Sequence, residues 1–151
     1  MEKNQKNESK NKDFKRIIVP IDGSKNSKRA AKKAIDFAKD SGIEVIALYV
    51  VQEPDAVYPQ FSGMYPDAIE MLKKEGHGYL NDIKKMGSEL GVTVKMKLFV
   101  GFPDHEIIKE AGKNDLIVIG CKGHSALSRI FIGSVCEKVL HHSSSPVMVI
   151  R

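Results

Sequence analysis

The chain has 151 residues, 42% of them hydrophobic, a length and apolar content that suit one compact domain whose core needs no disulfide or metal staple. Its longest apolar stretch, residues 43–51, is far too short to span a membrane and contains Glu44, so no transmembrane helix is expected. The formal charge is +5, but residues 1–16 hold six Lys or Arg against three acids, leaving only +2 for the remainder, which argues against a nucleic-acid surface on the folded body.

The Lys/Asn-rich segment 1–14 contains too little apolar surface to offset its ordering entropy and is expected to be a disordered, basic, solubilising tail ahead of a domain over 15–151. It lacks the apolar stretch of an export signal, so a cytoplasmic location is expected.

RIIVPID at 16–22 is an apolar run that suits a buried strand, and Ser24 follows as a helix cap. Ala30, Ala31, Ala34, Ile35 and Ala38 then recur at helical period until Gly42 stops the helix. EVIALYVV at 44–51 reads as the second strand, and the proline-rich stretch 52–66 as a long loop. From Asp67 to Leu90 a second helical pattern appears, in which Gly76 and Gly78 imply a kink or a close packing contact near His77.

VTVKMKLFV at 92–100 is the third strand, with partial alternation that places it toward a sheet edge. Pro103 opens a short helix through Ala111, and DLIVIG at 115–120 forms the fourth strand. The run GCKGHSALSRIFIGS at 120–134 then spaces Gly120, Gly123, Gly133 and Ser134 ahead of a helix over 134–142, and VMVI at 147–150 is the fifth strand.

Five strands separated by helical segments require parallel crossovers, which places the chain in the α/β class as a doubly wound five-stranded parallel sheet with helices on both faces. In a 3-2-1-4-5 order, Asp22 after the first strand and Gly120 after the fourth share one cleft at the point of reversal. The glycine loop is suited to phosphate, because glycine lets backbone N–H groups approach an anion and the following helix N-terminus adds unpaired donors and partial positive charge.

IIVPIDGS at 17–24, the DLIVIG strand, the complete Gly-x2-Gly-x9-Gly-Ser spacing and the ending SSSPVMVI together resemble the universal stress protein family, specifically its nucleotide-binding branch, over residues 15–151. The resemblance implies an ATP (or ADP) site in which Gly120, Gly123, Gly133 and Ser134 hold ribose and phosphates. It further implies Asp22 near the ribose or a metal ion, Pro20 and Val50 near the adenine, and Ile119 and Val135 as backbone or apolar contacts. Mg2+ or Mn2+ would bridge phosphates with few protein ligands, and Lys122, His124 and Arg129 are candidates for charge compensation. The resemblance also implies a homodimer, for which the short apolar strand 147–150 offers an edge.

The chain has no Gly-x4-Gly-Lys-Ser/Thr loop, kinase signature or nucleophile elbow, and no evident base for activating water. The expected function is therefore a nucleotide-dependent stress or signalling module with little or no turnover. A slow ATP hydrolase or phosphotransferase and a nucleotide-independent, chaperone-like interaction protein are the alternatives. Cys136 is expected to pack in the core, while Cys121, between two loop glycines, reads as accessible and a candidate redox site. His77, His105, His141 and His142 lack metal-ligand spacing and read as surface or capping residues.

Overall fold

The computed structural model describes residues 13–52, 60, 63, 66–121 and 132–151. The greater part of the basic tail, most of the 52–66 loop, and Lys122, Gly123, His124 and Arg129 lie outside the described residues. In chain order the elements are β1 (Arg16–Pro20), α1 (Lys25–Ser41), β2 (Glu44–Gln52), α2 (Pro66–Glu89), β3 (Val94–Gly101), α3 (Pro103–Glu110), β4 (Asp115–Gly120), α4 (Ser134–His142) and β5 (Val147–Ile150). The five strands form one parallel sheet in the order β3-β2-β1-β4-β5. No helix among the described residues is long and apolar enough to cross a membrane.

The apolar runs are unbroken because both faces of the sheet are covered. Ile17 and Val19 of β1, Val45 and Ala47 of β2, and Leu116 and Val118 of β4 pack under α1 and α2. The alternate residues Ile18, Ile46, Leu48, Ile117 and Ile119 pack on the other face against Ile107 of α3 and Val139 of α4. β1 is central, paired with β2 and β4, and its Ile17, Ile18 and Val19 have no exposed surface.

Local chemistry sets the helix limits. Ser24 caps α1 by accepting a 3.1 Å bond from Ser27 N–H, and Gly42 ends the helix in the left-handed region at φ 67°. Strand β1 stops at Pro20, two residues earlier than its apolar run, although Ile21 N–H still donates to Leu48 O. Strand β3 begins at Val94 because Val92 belongs to the preceding turn, its N–H donating to Gly87 O at 2.9 Å.

Helix α2 continues through its glycines, and the alternative of a close contact holds at Gly76. That residue is buried, and the ring of Tyr49 occupies the space a side chain would fill. Gly78 has nothing within 4 Å of where its Cβ would stand, so no packing requires glycine there.

At the amino ends of the strands, Arg16 donates to both oxygens of Asp115, at 2.6 and 3.3 Å, and to Glu110 at 3.2 Å. Lys97 reaches the same Glu110 oxygen at 2.6 Å. Burial raises the Asp115 carboxyl, but hydrogen bonds from Arg16 and from Gly112 N–H, with the guanidinium charge, outweigh it and hold the group below its ordinary value.

Two stability outcomes are expected. In urea unfolding, Gly78→Ala should gain about 0.5–1 kcal/mol from helix propensity, whereas Gly76→Ala should lose stability because the new methyl displaces Tyr49. At pH 7, Asp115→Asn should cost roughly 1.5–3 kcal/mol by removing a charge-assisted hydrogen-bond acceptor. With a depressed folded pKa, the Asp115 contribution is complete above the unfolded value of about 3.9 and is lost as pH falls through the lower folded value. Unfolding at pH 7 and pH 3 should therefore show the wild type losing more stability than Asp115→Asn over that interval.

Candidate functional site at the carboxyl ends of β1 and β4

Strand order reverses at β1, whose two neighbours β2 and β4 carry the chain to opposite sides of the sheet. An open cleft lies beyond the carboxyl ends of β1 and β4, where doubly wound sheets place their ligands. Its apolar lining comes from Pro20 and Ile21, Leu48 and Val50 of β2, Ile119, and Val135 with Cys136 of α4. Its polar lining comes from Asp22, Ser27, Gly120, Gly133 and Ser134. Eight of the nine residues expected from the sequence thus meet in one cleft, and the ninth, Gly123, lies outside the described residues.

Two helix N-termini border this cleft and differ in how their amides are used. At α1, Ser24 Oγ accepts from Ser27 N–H, and Asp22 Oδ1 accepts a 2.9 Å bond from Ser24 N–H. The start of α1 therefore carries side-chain acceptors for two of its N–H groups, those of Ser24 and Ser27. Helix α4 begins after Gly133, which has no side chain to cap it, and its only acidic first-turn residue, Glu137, is exposed. Among the described residues no side chain caps its leading N–H groups, which lie beside the cleft, where an anion would gain hydrogen bonds and the favourable end of the helix dipole.

The glycines have reasons beyond anion approach. A Cβ on Gly120 would stand 2.5 Å from Asn26 O, 2.6 Å from Asn26 C and 2.9 Å from Ser27 N, so a side chain there would push the first turn of α1 away from β4. Gly23 adopts φ 80°, and the ring of Tyr79 lies where its side chain would be. Sequence spacing alone gave no sign of either contact. Nor did it mark Asn26, which is 7% exposed and whose Nδ2 has no hydrogen-bond partner among the described residues.

The expected accessibility of Cys121 is overturned. Its N–H donates to Ile150 O at 2.8 Å, extending the β4 ladder by one residue. Strand alternation then turns its side chain to the same face as Ile117 and Ile119, leaving it 4% exposed. Cys136 is buried as expected, with its Sγ 3.1 Å from that of Cys121. His77, His105, His141 and His142 are exposed, and the described residues contain no group of three or more His, Cys, Asp or Glu able to hold a metal ion.

Comparison with known proteins agrees with this architecture. The model of the universal stress protein family matches residues 13–151. Universal stress protein MJ0531 of Methanocaldococcus jannaschii is 41% identical over 140 residues, covering 91% of this chain and 82% of that protein. Among solved structures, universal stress protein UspA from Lactobacillus plantarum superposes with a TM-score of 0.79 at 25% identity, covering 91% of this chain and 98% of that one. A universal stress protein from Archaeoglobus fulgidus, solved in complex with dAMP, shares the fold with a TM-score of 0.64 at 19% identity, over 91% of this chain and 98% of its own. With the motif-bearing cleft, the strand order and these matches in agreement, the chain belongs to the universal stress protein family.

Proposed function

We propose that the protein is an adenine-nucleotide-binding stress or signalling module of the cytoplasm, whose bound ATP or ADP alters its association state or a partner surface. The observation that carries this reading is the N-terminus of α4, without a side-chain cap at Gly133, opening at Gly133 and Ser134 onto a cleft that also has an apolar wall of Pro20, Leu48, Val50 and Ile119. A nucleotide has the matching chemistry, with a flat base for the apolar wall and phosphates for the amides. The dAMP complex of the Archaeoglobus protein supports the choice of an adenine nucleotide.

In this arrangement Pro20 and Val50 flank the base, and Ile119 and Val135 contribute backbone or apolar contacts. Gly120, Gly123, Gly133 and Ser134 hold ribose and phosphates, Ser134 through both its hydroxyl and its N–H. Asp22 contacts the ribose or a phosphate-bridging Mg2+ or Mn2+. It is the only carboxylate among the described cleft residues, and such an ion would take most of its ligands from phosphate and water.

Preorganised amides bind ground-state phosphate, whereas turnover requires interactions that strengthen in the transition state. Among the described cleft residues Asp22 is the only carboxylate. The protein should carry ATP or ADP through purification, detectable by mass spectrometry, and should bind added ATP by calorimetry. Ser134→Ala, losing one hydrogen bond to a charged group, should weaken ATP binding by roughly 10–100-fold. Gly133→Val, which crowds the helix start, should weaken it further. No nucleotide and no titratable binding would instead favour a nucleotide-independent interaction protein, and phosphate release at ordinary enzyme rates, abolished by Asp22→Ala, would favour a hydrolase.

The same reading includes a homodimer formed through β5. That strand is at the sheet edge, and its Met148 is 40% exposed. Pairing with a second copy would satisfy its open backbone groups. Light scattering at micromolar concentration, with and without ATP, should give the mass of two chains, and Val149→Pro, which interrupts the edge, should shift it to that of one. A single-chain mass for the wild type in both conditions would count against the dimer.

A further inference from the structure

The chain has two cysteines, both free thiols, and the fold brings them together from positions fifteen residues apart. Cys121 follows the end of β4, and Cys136 lies in the first turn of α4. Their sulfur atoms are 3.1 Å apart, and Cys136 lines the cleft. Each is almost fully buried, at 4% and 3% exposure, which hinders large thiol partners but not a small oxidant entering the cleft. Packing alone would not require two sulfur atoms in contact, since Cys121 shares its core face with isoleucines.

We propose that Cys121 and Cys136 form a redox-active dithiol, oxidised by a peroxide to an intrachain disulfide that weakens ligand binding in the adjacent cleft. The second half of this proposal rests on the nucleotide reading above, and the first half does not.

The chemistry balances with hydrogen peroxide as oxidant. One sulfur attacks a peroxide oxygen, the O–O bond breaks, and the displaced hydroxide takes the thiol proton as water, leaving a sulfenic acid. The second sulfur attacks that sulfenic sulfur, the S–O bond breaks, and hydroxide leaves with the second thiol proton as another water. Two thiols and one peroxide thus become one disulfide and two waters, and a dithiol reductant reverses the change by exchange.

Bond formation requires the sulfurs to close by roughly 1 Å to about 2.05 Å, and Cys136 moves with the first turn of α4. That turn carries the amides beside Gly133 and Ser134, so their aim changes with the oxidation state of the pair. Burial and the neighbouring Cys121 push the Cys136 thiol up to about 12, which keeps it protonated at neutral pH and slows its reaction with weak oxidants. A ligand in the cleft covers Cys136. By linkage, a ligand that opposes the disulfide must bind the oxidised protein more weakly.

The test treats the full chain with hydrogen peroxide and reads intact mass and mapped peptides without reduction. The expected result is a loss of about 2 Da, one linked peptide pair joining Cys121 to Cys136, and recovery with dithiothreitol. Cys121→Ser and Cys136→Ser should each abolish the linked pair, and ATP should slow its formation in the wild type. Calorimetry on reduced and oxidised wild type should show ATP affinity at least about 5-fold weaker after oxidation. Unreacted thiols, overoxidation to sulfinic acid without a disulfide, or a bond between copies would overturn the dithiol. Equal affinity of the two forms would overturn its coupling to the cleft. Failure of both forms to bind ATP would overturn that coupling and the proposed function together, while the disulfide result would stand on its own.

Discussion

The backbone contact between Gly120 and the first turn of α1 is the constraint on which the cleft depends. Asn26 O, Asn26 C and Ser27 N all lie within 2.9 Å of where a Cβ would stand, so only a residue without a side chain lets the start of α1 sit against the end of β4. This contact joins the first crossover of the fold to the fourth strand. It brings the Asp22 turn, Ser27 and the start of α4 around the carboxyl ends of two adjacent central strands. Buried isoleucines and valines on both faces of β1, β2 and β4 supply the cohesion, but they would tolerate other relative placements of the loops above them. Gly120 removes that latitude.

The two ends of the sheet divide structural from functional electrostatics. At the amino ends, Arg16, Asp115, Glu110 and Lys97 satisfy one another, and Asp115 is further held by Gly112 N–H. Such a network gives little net stability relative to an apolar replacement, because partial burial costs hydration. Its physical effect is registration, since it ties the starts of β1 and β4 to the end of α3 and to β3. At the carboxyl ends the balance differs. At the start of α1, Asp22 and Ser24 accept from the N–H groups of Ser24 and Ser27, while Gly133 offers α4 no side-chain cap.

Helix α2 supports the cleft from behind. Tyr49 packs on Gly76, and Tyr79 covers Gly23 while donating to Glu75 at 2.5 Å, with the two tyrosine rings 6.1 Å apart. The positive φ of Gly23 and the ring above it fix the turn that carries Asp22. An aromatic pair remote in sequence from the Asp-Gly-Ser turn thus determines where its carboxylate is presented.

Much of this was legible in the residues themselves. Unbroken apolar runs marked buried parallel strands, alanine periodicity marked α1, and Ser24 and Gly42 marked its ends, because these signals are local and each has one dominant physical cause. The grouping of Asp22, Gly120, Gly133 and Ser134 was also accessible, since strand order and the carboxyl-end rule place them together. Long-range contacts were not accessible. The need for glycine at Gly76 and its absence at Gly78, the approach of Asn26 to Gly120, and the pairing of Cys121 with Cys136 depend on residues far apart in sequence meeting at fixed distances. Cys121 shows the difference most clearly: its glycine neighbours indicate a loop, but one added hydrogen bond to Ile150 extends the strand and turns the thiol inward. The sequence by itself determined the elements and their hydrophobic faces, because periodicity and capping act over a few residues; the tertiary structure alone decided which side chains touch, because that depends on how whole elements pack.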